Sequence, residues 1–509
     1  MAQTFIMQKS TCFACLLYLT AIFLLPVNSS VVAQVTENKA PEKVMDFNPT
    51  SKSSEAQAFF KEGLAAYDMG ENRKARDLFT KAIEKDPDFG LAYLLRSNSS
   101  NSTKEWVDDI NAGKSKMANA SEWEKMYADY LYTDFSGDRE KGMELAKKMA
   151  ETYPDAARAQ MDLGNSYFNN KQYDLAAAAF EKSVSVNPSW SGGYGGLVNV
   201  YLFGEKKDLA KAEQNALKVV SLKPNNPGAH ILLGDTYRAQ NNMEKARDEY
   251  KKSIELDPKS VEGYYKLGHS NIYLGNSDEA RKNFKDAGER DSQKSFSQTL
   301  LATSYAYEGD SKKTMKELIR LASLSAKADG DKNMNKSDQL TFLNQAANVA
   351  LHNNDVAALK QLLPEMKPLS TENLQSVGTP EAMLYNESDM LYWEAIIDAL
   401  EGKFDAAKEK AGKMKTVLAS IKDGRKDEPH HELMGIISMK QKNYKEAIVH
   451  LNQANQQSIY CKYLLAKSYE GLEDKAKAKE YYTEVSNYNF NNISNALIRH
   501  EVKKKLKSM

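Results

Sequence analysis

Cysteine is almost absent from this chain of 509 residues, which contains only three. Cys12 and Cys15 lie in an apolar stretch near the start, and Cys461 lies close to the end. The first two spell a Cys-x-x-Cys motif, but they fall in a segment that we predict to be removed. Cys461 then has no partner, so the sequence excludes an internal disulfide and leaves packing as the source of stability.

The chain also lacks an excess of either charge. Lysine and arginine together number 69, and aspartate and glutamate together number 69. Domains that bind nucleic acid or anionic membranes usually carry a basic excess, so we predict neither as a partner. The basic end "EVKKKLKSM" is interpreted as the solvated end of a helix, where the helix dipole favours cations.

Apolar runs long enough to span a membrane are missing. The run "CFACLLYLTAIFLL", residues 12–25, is shorter than the roughly 20 residues that cross a bilayer. Lys9 precedes it and Val31-Val32-Ala33 follows it, a pattern typical of a signal peptide. We predict cleavage after Ala33 and export of the mature chain to the periplasm, the cell surface or the medium, with no further membrane span.

Catalytic motifs are missing as well. His431-Glu432 begins like the zinc-protease motif His-Glu-x-x-His, but the fifth position is Gly435. Gly268-His269-Ser270 begins like a nucleophile elbow, but Ile272 stands where the second glycine belongs. No phosphate-binding loop occurs, and the seven histidines are scattered without metal-ligand spacing. We therefore predict a non-catalytic protein without cofactor or metal.

What the chain does contain is a repeat. "LGDTYRAQNNMEKARDEYKKSIELDP" begins at Leu233, and the similar phrase "LGHSNIYLGNSDEARKNFKDAGERDS" begins at Leu267. In each unit, apolar residues spaced by four predict two amphipathic helices, which a short polar turn connects. Alanines mark the same place in four successive units: Ala176, Ala212, Ala246 and Ala280.

This pattern resembles the tetratricopeptide repeat, a helical hairpin of about 34 residues with small residues near its eighth and twentieth places. The resemblance implies an all-α, right-handed superhelical solenoid of antiparallel helix pairs, in one array or two. Gly234 and Ala246 should lie where two helices cross, because a larger side chain would force the helices apart. An isolated pair cannot bury its apolar stripe, so neighbouring pairs must stack.

The resemblance covers most of residues 55–500 and divides the chain into segments. Two stretches, 88–122 and 323–388, depart from the pattern. The predicted segments are a signal peptide at 1–33, a flexible linker at 34–54, an N-terminal array at 55–322 that is degenerate near 88–122, a linker at 323–337, and a C-terminal array with a capping helix at 338–509.

In this family the first helix of each pair lines the inner face of the superhelix, which implies where a partner would bind. Counting from the small residue of each unit places eleven side chains there, and they suit an extended peptide or a helix. We call this set the N-terminal inner face: Asn165, Phe168, Asn199, Phe203, Asp235, Arg238, Tyr265, His269, Tyr273, Thr303 and Tyr307. As an alternative, its polar members are solvated and its aromatic members pack between repeats.

One sub-type of the family can be tested on the sequence. Repeat domains that hold chaperone C-termini use a carboxylate clamp, and Asn165 and Asn199 match its asparagine place. Met161 and Gly195 stand where its lysine should be, so we predict no such clamp.

The resemblance therefore implies a protein- or peptide-binding scaffold of the cell envelope, and the sequence leaves its oligomeric state open. A first alternative is an enzyme with a site hidden in residues 88–122 or 323–388. A second alternative is a binder of glycans or small molecules through aromatic residues between Tyr265 and Tyr307. A structure distinguishes the first alternative from the scaffold: further helix pairs in the divergent stretches favour the scaffold, and a distinct folded insert favours the enzyme.

Overall fold

The computed structural model describes residues 49–100, 102–291 and 294–509. These residues form 25 helices, numbered here α1 to α25, and they contain no strand. The prediction of an all-α solenoid of stacked helix pairs is confirmed. The predicted signal peptide, residues 1–33, and the predicted linker as far as residue 48 lie outside the described residues.

The first six helices include the first clear unit and the degenerate stretch near 88–122. α1 and α2 form the expected first pair, and shorter helices follow. Their bounds are α1 Ser54–Asp68, α2 Asn72–Lys85, α3 Gly90–Ser97, α4 Thr103–Ser115, α5 Glu122–Ser136 and α6 Arg139–Thr152.

The clear repeats form one continuous stack of five helix pairs, in which each helix packs on the next. Their bounds are α7 Ala157–Asn169, α8 Tyr173–Val186, α9 Ser191–Phe203, α10 Leu209–Leu222, α11 Pro227–Ala239, α12 Met243–Leu256, α13 Val261–Leu274, α14 Ser277–Arg290, α15 Ser295–Tyr307 and α16 Ser311–Lys327.

The remaining nine helices among the described residues continue the stack to the C-terminus, and the last one packs on α15 and α17 as well as on its neighbours. Their bounds are α17 Lys332–Asn353, α18 Val356–Gln375, α19 Pro380–Leu400, α20 Phe404–Ala419, α21 Glu428–Lys440, α22 Tyr444–Leu451, α23 Ile459–Gly471, α24 Lys475–Ser486 and α25 Ile493–Ser508.

Each helix pair closes around one small residue, as the repeat predicts. A methyl group added to Gly234 would lie 2.2 Å from a ring carbon of Tyr250, sixteen places further along the chain. The same spacing brings Gly164 against Phe180 and Gly268 against Phe284. Only a glycine lets the first helix approach these rings so closely, which explains why the glycine and the ring recur together.

The turn inside each pair also follows a register. The seventh residue after the small place has a positive φ, which lets the chain reverse between the two helices. Glycine, asparagine, lysine and glutamate all occupy this place: Gly70, Lys171, Asn241, Gly275, Gly309, Lys442 and Glu473. Lysine and glutamate are strained there, so helix packing and not turn propensity fixes the bend.

The two divergent stretches pack against each other. Leu374, Val377 and Ala382 lie in the same apolar cluster as Trp106 and Phe135, although these two groups are far apart along the chain. Packing on a distant part of the solenoid is added there to the contacts between neighbouring helices. The repeat pattern is therefore weak in both stretches, although both form helices stacked with the rest.

The prediction of a linker at 323–337 is wrong. α16 continues to Lys327 and α17 begins at Lys332, so only the short turn between them lies outside helices. The polar residues lie on exposed helix faces, and Asp331 caps α17 by accepting from two backbone N–H groups. One apolar cluster runs from Ala302 to Val502 across this point, so the chain does not divide there into two arrays.

The end of the predicted linker at 34–54 is likewise held in place. The backbone N–H and hydroxyl of Thr50 donate to Glu124 at 2.8 and 2.6 Å, and Ser51 and Lys52 donate to Asp86. α1 begins at Ser54. Hydrogen bonds to two carboxylates therefore fix residues 50–52, where the sequence predicted flexibility. Within the described part of the chain, no helix is long and apolar enough to cross a membrane.

Candidate functional site

The N-terminal inner face is mostly enclosed by the protein itself. Five of its side chains are buried: Asp235, Arg238, Tyr265, His269 and Thr303. The other six are half-buried: Asn165, Phe168, Asn199, Phe203, Tyr273 and Tyr307. The sequence correctly aligned these places along successive first helices, but the alternative that the polar ones are solvated is wrong for the buried members.

Asp235 is the centre of a buried charge network on α11 and α13. It is fully buried and accepts hydrogen bonds from Tyr250 Oη at 2.6 Å and from Lys266 Nζ. Arg238 Nη2 lies 3.0 Å from Asp235 Oδ1, with 2% of Arg238 exposed. Two cations around one carboxylate leave a net positive charge in the interior, which only well-placed partners can stabilise.

The His269 ring next to this network stays neutral and so adds no further positive charge. Burial and the neighbouring charges of Arg238 and Lys266 hold the pKa of His269 well below its usual range. Arg238 Nη1 lies 3.3 Å from His269 Nδ1, so the neutral ring accepts a hydrogen bond from the guanidinium. His269 and Arg238 therefore support each other inside the fold.

The C-terminal part of the chain covers this face. The ring of Phe490 lies 4.7 Å from the Arg238 guanidinium and 5.0 Å from the ring of Phe203. Arg499 stacks over Tyr273 at 4.3 Å, and Asn495 Nδ2 donates to the hydroxyl of Tyr273 at 2.9 Å. Side chains predicted to meet a partner therefore meet residues 490–499 of the same chain.

The contact continues along the turns of the clear repeats. Lys171 pairs with Glu428, the side-chain amide of Gln457 donates to Tyr173, and the amide of Asn489 donates to Asn241. In these three contacts, residues further along the clear repeats meet residues further along the C-terminal part of the chain. The C-terminal pairs therefore lie alongside the clear repeats in the same order.

The opposite edge of the N-terminal inner face is closed by the turn between α1 and α2. Asp68 forms a buried ion pair with Arg158, and Asn226 Nδ2 donates to Glu71 at 2.6 Å. A cleft of about 260 Å³ remains beside this turn, with Trp190 and Lys223 among its lining residues. The N-terminal inner face is thus bounded on both sides.

A second face on the C-terminal pairs uses the same register and includes one side chain, that of Lys467, with 40% of its surface exposed. Lys440 follows Gly435 by five places, as Tyr273 follows Gly268. Lys467 follows Ala466 directly, as His269 follows Gly268. We call the following set the C-terminal face: His352, Lys440, Tyr460, Tyr463 and Lys467.

The C-terminal face combines aromatic rings with ammonium groups. His352 Nδ1 lies 3.4 Å from the hydroxyl of Tyr460, and the Tyr460 and Tyr463 rings are 5.7 Å apart. Lys467 Nζ donates to Tyr463 Oη at 3.2 Å. The side chain of Lys467 is 40% exposed, so a partner in solution can reach it.

Comparison with protein families supports the repeat assignment. Family models described as "TPR repeat" match residues 234–275, and models described as "Tetratricopeptide repeat" match residues 60–112, 157–190, 261–294 and 459–492. The matched segments 157–190, 261–294 and 459–492 each span one helix pair of the structure. The chain is a tetratricopeptide-repeat protein. Its repeats suggest a protein-interaction scaffold.

Solved structures of tetratricopeptide-repeat proteins are also similar in part. YrrB, described as a TPR protein with an unusual peptide-binding site, is 21% identical, covers 35% of this chain and 90% of its own, with a TM-score of 0.26. TTC0263 from Thermus thermophilus is 20% identical, covering 38% of this chain and 100% of its own, with a TM-score of 0.31.

The Cut9–Hcn1 hetero-tetramer of the APC/C covers 87% of this chain and 76% of its own at 13% identity, with a TM-score of 0.39. All three TM-scores lie below 0.5, and nothing about the ligand of this tetratricopeptide-repeat protein follows from them. No curated protein matches the chain.

The discarded motifs have structural roles within the repeats. His431 Nδ1 lies 3.0 Å from His450 Nδ1 across a helix pair, and His430 Nδ1 donates to the carbonyl of Ala411 at 3.1 Å. Gly435 packs on Leu451, sixteen places on, and Ser270 donates to the carbonyl of Leu267. Among the described residues, no group of three or more His, Cys, Asp or Glu side chains could hold a metal ion.

The stretches to which the enzyme alternative assigned a site are helical. Residues 88–122 contain α3, α4 and the first residue of α5, and residues 323–388 contain α17 and α18 with the adjoining ends of α16 and α19. Neither stretch is a separate insert. This result favours binding over the enzyme alternative, which no observation here supports.

The sequence did not single out the C-terminal face, although a signal for it was present. Counting one and five places from Ala466 and Gly435 would have identified Lys467 and Lys440. His352 follows Ala347 by five places in a weak repeat, and it reaches Tyr460 only through the tertiary fold.

Proposed function

We propose that this protein is an exported interaction scaffold that binds a segment of a partner protein on the C-terminal face. The observation that carries the proposal is the difference in exposure between equivalent places. His269 is 5% exposed and supports Arg238, whereas the side chain of Lys467, at the same place of its unit, is 40% exposed. A tetratricopeptide-repeat scaffold needs a first-helix face that its partner can reach.

The N-terminal inner face is not the binding face in this proposal. Binding of a partner by its eleven residues stays a prediction. A partner would have to displace Phe490 from Arg238 and Arg499 from Tyr273 to reach the middle of that face. Asn165 and Phe168, in the first unit of that face, are half-buried.

Capture of the partner from the native cell envelope tests the proposal. We expect Lys467→Glu to abolish capture, because it reverses a charge on the C-terminal face. Lys445→Glu is the matched control, since Lys445 is an exposed lysine on α22. Unchanged capture by Lys467→Glu, together with loss of capture by Asn165→Lys, would move the binding face to the N-terminal array.

Export is part of the proposal and has its own test. It is supported by the short apolar run at residues 12–25, which Val31-Val32-Ala33 follows. N-terminal sequencing of the protein from its native source should give Gln34 as the first residue. Recovery of intact Met1 in the cytoplasm would contradict export.

A further inference from the structure

Lys440 is a half-buried cation without an acidic partner. It is the last residue of α21, and its Nζ donates to the side-chain carbonyl of Asn354. Within the described part of the chain, no carboxylate forms an ion pair with this nitrogen, whereas Lys266 on α13 meets Asp235. An ammonium that is partly shielded from water and lacks a counter-charge is less favourable than a paired one, so a carboxylate from another molecule would stabilise it.

The surroundings of Lys440 increase the positive charge. Lys440 contacts Asn354, two places after His352, whose ring lies 6.0 Å from that of Tyr463, and Tyr463 accepts from Lys467 Nζ at 3.2 Å. Burial and the charge of Lys467 lower the pKa of Lys440. Glu501 pairs with Lys467 Nζ at 3.4 Å and accepts from the hydroxyl of Tyr463 at 2.7 Å. Lys467 therefore already has a counter-charge, and Lys440 does not.

His352 adds to the same site without adding charge. Burial lowers the pKa of its ring, and Lys467 and Lys440 oppose its protonation as well. The neutral ring and that of Tyr460 lie 6.0 Å apart in an edge-to-face arrangement. Lys467 thus lies beside aromatic rings, and a partner segment that covered them would shield the charges from water and strengthen their attraction.

We propose that Lys440 and Lys467 bind a carboxylate on an acidic side chain of the partner segment. This inference rests on the proposed function, because it specifies the chemistry that the C-terminal face recognises. A carboxylate placed between the two ammonium groups would supply the missing counter-charge and accept charge-assisted hydrogen bonds from both. The aromatic rings would contact the neighbouring apolar part of the segment.

The arrangement differs from the carboxylate clamp excluded above. The clamp lysine stands three places before the small residue, and here those places hold Glu432 and Tyr463. Lys467 stands one place after the small residue and Lys440 five places after it. The site is therefore not expected to require a free C-terminus.

A calorimetric titration of the full mature chain tests the proposal with a defined probe. The probe is the peptide acetyl-Glu-Tyr-Glu-Glu-amide, whose blocked ends leave only side-chain carboxylates. We expect it to bind, and we expect the version with glutamine at every glutamate to bind at least tenfold more weakly, about 1.4 kcal/mol. Equal binding of the two peptides, or no binding of the acidic one, would overturn the proposal.

Titrations of two lysine variants with the acidic peptide test whether Lys440 contributes to binding. Lys440→Gln should weaken the acidic peptide about tenfold, which corresponds to about 1.4 kcal/mol, and the exposed control Lys445→Gln should leave its affinity unchanged. A thermal melt of each variant confirms that it folds. If both variants weaken binding equally, the effect is general electrostatics and the proposal is wrong.

Competition with inorganic phosphate tests whether the site prefers a side-chain carboxylate or free phosphate. We expect phosphate to compete only weakly with the acidic peptide. Phosphate that binds while the peptide does not would assign the site to phosphate and contradict the proposal. The capture experiment distinguishes failure of this inference from failure of the proposed function. If Lys467→Glu abolishes capture and Lys440→Gln does not affect it, the proposed function holds and the carboxylate site is wrong.

Discussion

The two inner faces of this protein are built from the same places of the same repeat, yet they have opposite surroundings. At one place after the small residue, the N-terminal unit carries His269, which is buried against Arg238, and the C-terminal unit carries Lys467, which is 40% exposed. The cation Lys266 has a carboxylate beside it, and Lys440 has none. The register of a repeat therefore fixes where a side chain lies, but the rest of the chain decides whether that place serves stability or binding.

The largest effect expected from this comparison concerns Asp235. Replacing Asp235 with alanine would leave Arg238 and Lys266 buried without their shared carboxylate. Removing one partner of a buried charge pair typically costs about 3–5 kcal/mol, so we expect a loss of this size in the free energy of unfolding from urea denaturation. The control Asp248→Ala removes a carboxylate whose side chain is 64% exposed and should cost less than about 1 kcal/mol.

Equal stability of these two variants would contradict the view that the N-terminal inner face is part of the core. It would also restore the expectation that its polar side chains are solvated and free to meet a partner.

The next effect separates close helix crossings from exposed helix surface. Gly234→Ala should destabilise the protein by about 1–3 kcal/mol, because the added methyl would lie 2.2 Å from the Tyr250 ring. Gly412→Ala makes the same change on α20, where nothing lies within 4 Å of the added methyl, and should stabilise by about 0.5–1 kcal/mol. Thermal melts of the pair should shift in opposite directions, and shifts of the same sign would count against the assigned crossing.

A pH-dependent effect on stability is expected from Glu432, next to the C-terminal face. Burial raises the pKa of Glu432 from 4.5 to about 6, while the thiol of Cys461 lies 3.4 Å from its carboxylate. The folded state then holds the proton more tightly than the unfolded state. Its stabilising effect is complete below pH 4.5 and is lost as the pH rises through about 6, by about 1.4 kcal/mol per unit of pKa difference.

The Glu432→Gln variant isolates this effect, because its side chain does not titrate. The difference in unfolding free energy between the variant and the natural chain should therefore change across pH 4.5 to 7. A constant difference over that range would show that the carboxyl of Glu432 does not titrate as its burial implies.

The smallest effect on stability is expected at Lys440. Replacing Lys440 with glutamine removes a half-buried charge that has no acidic partner, so unfolding free energy should change by less than about 0.5 kcal/mol, or rise. Lys266→Gln, the matched change in the N-terminal inner face, removes a partner of buried Asp235 and should cost clearly more. Equal losses in chemical denaturation would mean that the two lysines play the same structural role.

Local features of this fold could be predicted from the sequence because they depend on neighbours along the chain. The spacing of Gly234 and Ala246 gives the helix crossing, and Asp257-Pro258 predicts the end of α12 at Leu256. Contacts between distant units leave no such signal. Phe490 on Arg238, and Trp106 in one cluster with Leu374, could not be inferred from the period of the repeat.

The same limit explains the errors. Residues 323–337 look like a linker because they are polar, yet they lie on exposed faces of α16 and α17. Arg238 and His269 look like surface residues because the register places them on the inner face, yet a later part of the chain covers them. A register count continued past Gly435 would have found Lys440, but only the fold shows that it lacks an acidic partner.

The most direct test of the account is the reactivity of individual lysines toward an amine-acylating reagent, measured by mass spectrometry on the full chain alone and with its captured partner. The account predicts that exposed Lys467 reacts in the free protein and is protected by the partner, together with Lys440, while buried Lys266 stays unreactive in both states. A partner that leaves Lys467 and Lys440 unchanged and makes Lys266 reactive would contradict it, because binding would then open the N-terminal inner face.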